Sequence, residues 1–273
     1  MAAPAVAGAV QDRYFMSDDG VRLHYLEAGK GQTIVFVPGW TMPAWIFDRQ
    51  IADFSTRYHV IAFDPRGQGD SDIPPDGYDP DRRGRDIGNL IDHLGGGQVL
   101  LAGWSLGVLD ALAYVQLSGD ARLAGLVLID NSVGEEPPPP APQPPARNAR
   151  KMPKLSREAS MRAFVRGMFN HPPPTAYIDR LTAAAMRVPP NAASALLAYP
   201  VPRSYWKTAV YSTAKPILYI VRPRLAGQAG NLEAHHPGAE SVVLYEVGHA
   251  LFIDEPARFD AILQDFIRRR IWH

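Results

Sequence analysis

A serine stands between two glycines in the segment Gly-Trp-Ser-Leu-Gly at residues 103–107, after one apolar run and before another. This order places Ser105 on a tight turn from a buried strand into a helix. Such a turn forces its central residue into a strained backbone conformation, and small residues two before and two after it avoid clashes. The new helix directs free N–H groups and its positive dipole end toward the serine. The spacing predicts a hydroxyl beside a preformed anion site, and a simple helix-capping serine is the alternative.

Ser105 needs a base, because a serine hydroxyl is a weak nucleophile until a neighbouring group removes its proton. The chain has 8 histidines, and His249 is the candidate because it follows the last predicted strand. Other histidines fall in predicted strands, in loops expected to be solvated, or at the end of the chain: His24, His59, His171, His235, His236 and His273. The prediction is therefore an imidazole that is delivered to the serine from far along the chain.

Short apolar segments that alternate with helical patterns must position these groups. A hairpin is predicted over 14–26, and buried strands are predicted at 33–37, 59–63, 99–102, 126–129, 217–221 and 242–245. A largely apolar helix is predicted over 106–117, and a final helix begins near Pro256 and buries one face. Alternation of this kind is typical of a mostly parallel sheet with helices on both faces.

The alternation breaks between residues 134 and 214. The proline-rich segment 135–145 cannot form a helix or a central strand, so it predicts a stiff extended connector, with a floppy surface loop as the alternative. The chain is therefore divided into a core in two parts, 1–134 and 214–273, and a helical insertion of residues 135–213 that lies over the sheet.

Helical patterns follow the prolines inside this insertion. Ser156 is the predicted N-cap of the first helix. One face of that helix carries Met161, Phe164, Val165 and Met168. Further helical segments are predicted around 177–186 and 191–197.

The serine turn and four other segments resemble the α/β-hydrolase family. In chain order these segments are Val-Pro-Gly-Trp-Thr at 37–41, Phe-Asp-Pro-Arg-Gly-Gln-Gly-Asp-Ser at 63–71, Val-Gly-His-Ala at 247–250 and Phe-Ile-Asp-Glu-Pro-Ala-Arg-Phe at 252–259. The resemblance covers nearly the whole chain except the insertion. It implies an α/β-hydrolase fold, in which a mostly parallel eight-stranded sheet is flanked by helices and the insertion forms a helical cap.

The resemblance also implies roles for individual residues. Ser105 matches the nucleophile and His249 matches the base. The oxyanion of a tetrahedral intermediate needs two N–H donors, and the resemblance assigns these to the backbone of Leu106 and of Trp40.

The third member of the triad departs from the family pattern. The family usually places an acid just after the strand predicted at 217–221, where this chain has Arg224. Asp130 ends the neighbouring strand, and some members of the family place their acid there, so Asp130 is the predicted acid. A site without an acid, or one that uses Glu135, Glu136 or Glu233, stays open. Arg222 and Arg224 could bind a substrate carboxylate near the mouth of the site, and solvated surface arginines are the alternative.

The implied activity is that of a serine esterase-like hydrolase, which cleaves a carboxylic ester or lactone through an acyl-enzyme. A C–C bond hydrolase and a cofactor-independent dioxygenase on the same fold remain alternatives, as does a non-catalytic member that binds a ligand. Haloalkane dehalogenation is disfavoured, because its nucleophile at this turn is an aspartate and here it is Ser105.

Aromatic residues predict a pocket for a small apolar or aromatic molecule. Besides the Trp40 indole, the pocket candidates are Trp104, Tyr205 and Trp206. The reaction requires no cofactor, and no metal is expected because no histidine–aspartate group has the spacing of a ligand set.

Composition excludes several classes of partner. Lys and Arg together number 28, and Asp and Glu together also number 28. The chain therefore lacks the excess of basic residues that would indicate binding to nucleic acid. The absence of cysteine excludes disulfides and thiolate chemistry. No run approaches the ~18 apolar residues of a spanning helix. The first ten residues lack a basic region, which favours a cytoplasmic location over export after removal of a leader, although both stay open. The oligomeric state is not indicated.

Overall fold

Eight strands form one sheet in the computed structural model, which describes residues 9–135 and 155–272. The strands are β1 (Gln11–Met16), β2 (Arg22–Ala28), β3 (Thr33–Val37), β4 (His59–Asp64), β5 (Val99–Trp104), β6 (Leu123–Ile129), β7 (Ile217–Val221) and β8 (Ala239–Val243). Their order in space is β1-β2-β4-β3-β5-β6-β7-β8. The β1–β2 and β2–β4 pairs are antiparallel and the other pairs are parallel. The predicted fold class, a mostly parallel sheet, is confirmed.

Helices flank this sheet on both faces, as expected. They are α1 (Asp48–Phe54), α2 (Pro80–Leu94), α3 (Leu106–Ser118), α4 (Arg157–Gly167), α5 (Thr175–Arg187), α6 (Pro190–Ala195), α7 (Ser204–Ser212), α8 (Ala226–His235), α9 (Leu251–Asp254) and α10 (Pro256–Phe266). Alternate side chains of β3 enter different apolar clusters. Val35 belongs to a cluster that includes residues of α2, α3 and α8 on one face of the sheet, and Phe36 belongs to a cluster that includes residues of α1 and α10 on the other. The sheet is buried on both sides, which explains its continuous apolar strands.

Three neighbouring strands bring the candidate residues to one edge of the sheet. Ser105 follows β5, Asp130 follows β6 and Arg222 follows β7. The backbone ladder continues past the strand ends, because Ser105 N–H donates to the Ile129 carbonyl at 2.9 Å and Asp130 N–H donates to the Ile220 carbonyl at 2.9 Å. Parallel strands end at a common edge, so residues far apart in sequence become neighbours here.

Two glycines let β5, α3 and β3 approach closely at this edge. A Cβ on Gly103 would overlap the Gly107 carbonyl oxygen. A Cβ on Gly107 would overlap the Val37 carbonyl oxygen and lie 2.8 Å from that of Pro38. The small residues on either side of the serine turn are therefore required by backbone contacts as well as by the turn itself.

The last strand differs from its prediction. Residues 242–245 were expected to form it because they are apolar, but β8 covers Ala239–Val243. It pairs with β7 on one side and is half-buried along its whole length, so an edge strand here tolerates the polar residues Glu240 and Ser241. Tyr245, which was included in the prediction, is 62% exposed.

Four helices, α4 to α7, lie between β6 and β7, where the insertion was expected. Ser156 accepts the Ala159 N–H at 3.1 Å, as its predicted cap role requires. On the expected apolar face Met161, Val165 and Met168 are buried, whereas Phe164 is 39% exposed. The proline-rich connector falls almost entirely outside the described residues, and the domain boundaries stay a prediction. None of the helices in the described part of the chain is long and apolar enough to cross a membrane.

The close approach at Gly107 can be tested by Gly107→Ala. We expect this change to lower the free energy of unfolding by roughly 1–3 kcal/mol, because the added methyl group has no space between α3 and β3. Urea denaturation measures the loss. Gly88→Ala in α2 is the matched control, since its Cβ would meet nothing nearer than the Tyr114 ring at 3.6 Å. That control should be neutral or stabilising, by up to about 1 kcal/mol. Equal stabilities for the two variants would contradict the packing described above.

Candidate active site

Ser105 occupies a strained turn between β5 and α3. Its backbone has φ 54° and ψ −120°, a positive-φ conformation that is rare for a residue other than glycine. The Ser105 carbonyl accepts hydrogen bonds from Val108 N–H at 3.0 Å and from the Asn131 side chain at 2.8 Å. These bonds, with the ladder bond to Ile129, hold the turn in this conformation.

His249 meets the serine from the loop between β8 and α9. Its Nε2 lies 2.8 Å from Ser105 Oγ, so the hydroxyl can donate its proton to the imidazole. The Trp104 indole N–H donates to the His249 carbonyl at 2.8 Å and thereby fixes the backbone of this residue. Asp254 accepts the N–H of Gly248 at 2.5 Å, which holds the preceding residue as well.

Asp130 lies on the other side of the imidazole and is fully buried. His249 Nδ1 is 2.6 Å from Asp130 Oδ2. Arg222 also binds this carboxylate, with Nε 2.6 Å from Oδ2 and its backbone N–H 3.0 Å from Oδ1. Burial alone raises the pKa of Asp130, but the hydrogen bonds from His249 and Arg222 outweigh it, so the pKa lies below its usual value. The carboxylate is therefore held ionised.

The alternative acids lie elsewhere. Glu135 accepts the hydroxyl of Tyr211 at 2.6 Å and the side-chain amide of Asn231 at 2.9 Å. Glu233 in α8 accepts the Ser241 hydroxyl. Glu136 falls outside the described residues. Among the residues that the structure describes, Asp130 is the carboxylate in contact with His249.

The loop after β3 packs directly against the serine. A Cβ on Gly39 would lie 2.9 Å from Ser105 Cβ and 3.3 Å from its Oγ, so only glycine fits there. Within residues 9–135 and 155–272, neither the Trp40 N–H nor the Leu106 N–H meets a hydrogen-bond acceptor. Two backbone donors, one in the loop after β3 and one at the start of α3, therefore remain available.

Gln68 holds this loop in place. Its Oε1 accepts the Thr41 N–H at 2.8 Å, and its Nε2 donates to the carbonyls of Gly39 at 3.1 Å and Met42 at 3.0 Å. The side chain is 1% exposed, so these bonds compete with no water. One amide therefore fixes the backbone on both sides of Trp40.

The aromatic pocket candidates lie in different places. The Trp40 indole donates to the Ala193 carbonyl in α6 at 2.7 Å. Trp104 is 1% exposed beneath His249. Tyr205 donates its hydroxyl to Asp81 in α2 at 2.6 Å, and Trp206 packs edge-on against the Tyr205 ring with centroids 5.8 Å apart. A pocket role for the last three residues stays a prediction.

Two histidine environments differ from expectation. His236 is buried and bonds the Thr213 carbonyl at 2.8 Å, so the prediction that it is a solvated loop residue is wrong. His24 lies with Asp64 and Asp70, and one potential metal-ligand atom from each of the three lies within 4.8 Å of the others. The spacing of these residues in the sequence did not indicate such a group. Its ring nitrogen is 2.7 Å from Asp64, which also accepts the Asp70 N–H at 2.9 Å. These bonds occupy the Asp64 carboxylate and anchor the turn at 63–71.

Residues 34–262 match the model of the alpha/beta hydrolase family, and the chain belongs to this family. It is 34% identical to a non-heme haloperoxidase of Rhodococcus erythropolis over 117 residues, which are 42% of this chain and 43% of that protein. It is 37% identical to the 2-(acetamidomethylene)succinate hydrolase of Mesorhizobium japonicum over 87 residues, 32% of this chain and 31% of that protein. The matched segments thus span less than half the length of these curated relatives.

Solved structures match over nearly the full length. The esterase RhEst1 from Rhodococcus sp. ECU1013 has a TM-score of 0.78 at 23% identity, covering 95% of this chain and 99% of that chain. The esterase EaEST from Exiguobacterium antarcticum has a TM-score of 0.79 at 20% identity, covering 94% of this chain and 100% of that chain. At these identities the likeness shows the fold.

Sequence reasoning missed three residues around Ser105. Asn131 and Gln68 act through single side-chain amides, and no spacing rule indicates such contacts. Arg222 was expected to bind a substrate carboxylate or to be solvated, and its contact with Asp130 was not expected. The signal was the pairing of adjacent strand ends, which places residue 130 beside residue 222 once β6 and β7 are taken as neighbours.

The ionised state of Asp130 predicts a pH-dependent contribution to stability. Its pKa is lower in the folded chain than in the unfolded chain, so this contribution is present above the unfolded value and is lost as the pH falls below about 4. The difference in unfolding free energy between wild type and Asp130→Asn should shrink on acidification. Urea titrations across this range measure it, with the exposed Asp76→Asn as control. A constant difference would contradict the assigned charge.

Proposed function

We propose that the chain is a serine hydrolase that cleaves a carboxylic ester or lactone through an acyl-enzyme. The observation that carries the proposal is the continuous chain of hydrogen bonds from Ser105 Oγ to His249 at 2.8 Å and from His249 to Asp130 at 2.6 Å. A hydroxyl, an imidazole and a buried carboxylate in this order are the parts of a nucleophile with its general base.

In the first half of the reaction, His249 Nε2 accepts the Ser105 proton while Oγ attacks the substrate carbonyl carbon. The carbonyl oxygen becomes an oxyanion, and the N–H groups of Trp40 and Leu106 bind it. In other acyl-transfer enzymes, the loss of one such donor lowers kcat by a factor of about 10²–10³. The intermediate collapses, His249 returns the proton to the leaving alkoxide, and the acyl group stays on Ser105.

In the second half, His249 accepts a proton from water as the water oxygen attacks the acyl-enzyme. Collapse of the second tetrahedral intermediate returns a proton to Ser105 and releases the carboxylic acid. Asp130 keeps the imidazole proton on Nδ1 and stabilises the imidazolium in both halves. Its replacement by asparagine should reduce kcat by about 10³–10⁴.

Apolar side chains on the loop after β3 and on α4 support an apolar acyl or alcohol group in the substrate. The Trp40 ring lies edge-on to Phe164 of α4 with centroids 5.1 Å apart, and Phe164 is 39% exposed. Helices α4 to α7 would act as the cap of this site. Trp104 is buried against Phe252, so it supports His249 from below.

A fluorophosphonate probe tests the nucleophile. We expect labelling of wild type at Ser105, no labelling of Ser105→Ala, and strongly reduced labelling of His249→Ala, because the unassisted hydroxyl reacts poorly. Mass spectrometry of the labelled peptide measures this. Ser118→Ala, at the exposed end of the same helix α3, is the control and should label like wild type.

A panel of p-nitrophenyl esters of increasing chain length then tests turnover in the same variants. Labelling without ester turnover would favour C–C bond hydrolysis, for which a diketone is the substrate to try. Absence of labelling in the folded wild type would contradict the proposal and favour a ligand-binding role.

Gln68→Met tests the oxyanion loop. Methionine keeps the length of the side chain but satisfies neither Thr41 N–H nor the two carbonyls, so the Trp40 donor loses its fixed orientation. We expect kcat to fall about 10-fold or more with little change in KM, because the oxyanion forms after substrate binds. The exposed Gln98→Met, whose side chain donates to the Ala121 carbonyl away from the site, is the control. An unchanged kcat would contradict this role.

A further inference from the structure

Arg222 contacts two members of the Ser105–His249–Asp130 set. Its Nε is 2.6 Å from Asp130 Oδ2, and its Nη2 is 3.3 Å from His249 Nδ1. The side chain is 25% exposed and the Asp130 side chain is fully buried, so solvent reaches the guanidinium from one side. The proposed reaction assigns no step to this arginine.

One oxygen of the Asp130 carboxylate contacts both the His249 imidazole and the Arg222 guanidinium. Asp130 Oδ2 is 2.6 Å from His249 Nδ1 and 2.6 Å from Arg222 Nε. A guanidinium is always protonated and only donates, and a His249 Nδ1 that donates to Asp130 cannot accept from it. The 3.3 Å approach of Nη2 to Nδ1 is therefore a contact between two donors. It becomes repulsive when the imidazole gains a second proton.

Few other charges face His249 from the elements packed around it. Arg224 Nη2 is 4.0 Å from Asp130 Oδ2, but its side chain is 56% exposed. Tyr219 of β7 donates its hydroxyl to the Asn131 carbonyl. Asp254 of α9 is occupied by the N–H groups of Gly248, Asn170 and His171. Among the described residues, Arg222 is thus the cation nearest to the imidazole.

We propose that Arg222 is a positioning residue that extends the working range of this site to lower pH, by orienting the Asp130 carboxylate and offsetting its charge. This inference rests on the proposed function. With the guanidinium present, Asp130 stabilises an imidazolium less, so the neutral imidazole that accepts the Ser105 proton persists further into acid. The lowered pKa of Asp130, where the bonds from His249 and Arg222 outweigh burial, agrees with a carboxylate shared in this way.

The test is the pH dependence of kcat/KM for a p-nitrophenyl ester from about pH 5 to about pH 9, since this profile follows the ionisations of the free enzyme. Arg222→Met keeps the bulk and the backbone N–H bond to Asp130 but removes the charge. We expect its acid limb to move up by roughly one pH unit, the size of effect that one close charge produces. Arg222→Lys, which restores a cation, should return the limb toward wild type.

Arg224→Met is the matched control. Its guanidinium is more distant and more exposed, so the limb should move less and the movement should vanish at high salt. If Arg222→Met lowers the plateau of kcat/KM but leaves the acid limb at the same pH, the proposal is overturned and Arg222 has only a structural role. An equal shift in Arg224→Met would also overturn it, because the effect would then belong to the surface charge in general.

A second measurement needs no turnover. Nitrogen-15 NMR of labelled histidine follows the protonation of His249 in Ser105→Ala, with and without Arg222→Met. A midpoint that rises when Arg222 is removed supports the proposal even if the chain hydrolyses no ester, and an unmoved midpoint overturns it. Failure of fluorophosphonate labelling in wild type would instead count against the proposed function, so the two failures are distinguishable.

Discussion

The buried carboxylate of Asp130 is the group on which the rest of the site depends. It sits at the end of β6 with no exposed surface, between the imidazole of His249 and the guanidinium of Arg222. A charge in such a place is costly unless it is paired and hydrogen-bonded. The neighbouring strand ends provide that pairing, and the same bonds orient the imidazole toward Ser105.

The sheet edge brings Ser105, Asp130 and Arg222 together, and the loop between β8 and α9 adds His249. The strands β5, β6 and β7 are parallel neighbours, and their ladders run one residue beyond the strands. Ser105 and Asp130 both have positive φ at this point, 54° and 48°. Two strained residues in adjacent positions are sustained because the surrounding ladder bonds and close backbone contacts determine their conformation.

Much of the core was predictable from sequence. Apolar runs predicted the strands β3 and β7, and the spacing of the glycines predicted the turn at Ser105. Both are local signals in the sequence. The edge strand β8 was misplaced because half-buried strands carry no continuous apolar run. The proximity of Asp130 to His249 was expected from the resemblance to the α/β-hydrolase family, because some members place their acid at the end of this strand. Strand order also places Asp130 close to Arg222, but the bond between their side chains and the three bonds of Gln68 depend on side-chain directions that only the folded chain defines.

The loop that carries the Trp40 N–H is fastened at two ends, to the sheet edge through Gln68 and to α6 through the indole and Ala193. An outward movement of α6 would remove the hydrogen-bond acceptor of the Trp40 indole and leave this end of the loop without its contact. The position of the Trp40 backbone is therefore coupled to the position of helix α6. In the proposed hydrolase, a change in the packing of α6 would thus reach the oxyanion loop without passing through the hydrogen bonds that join Ser105, His249 and Asp130.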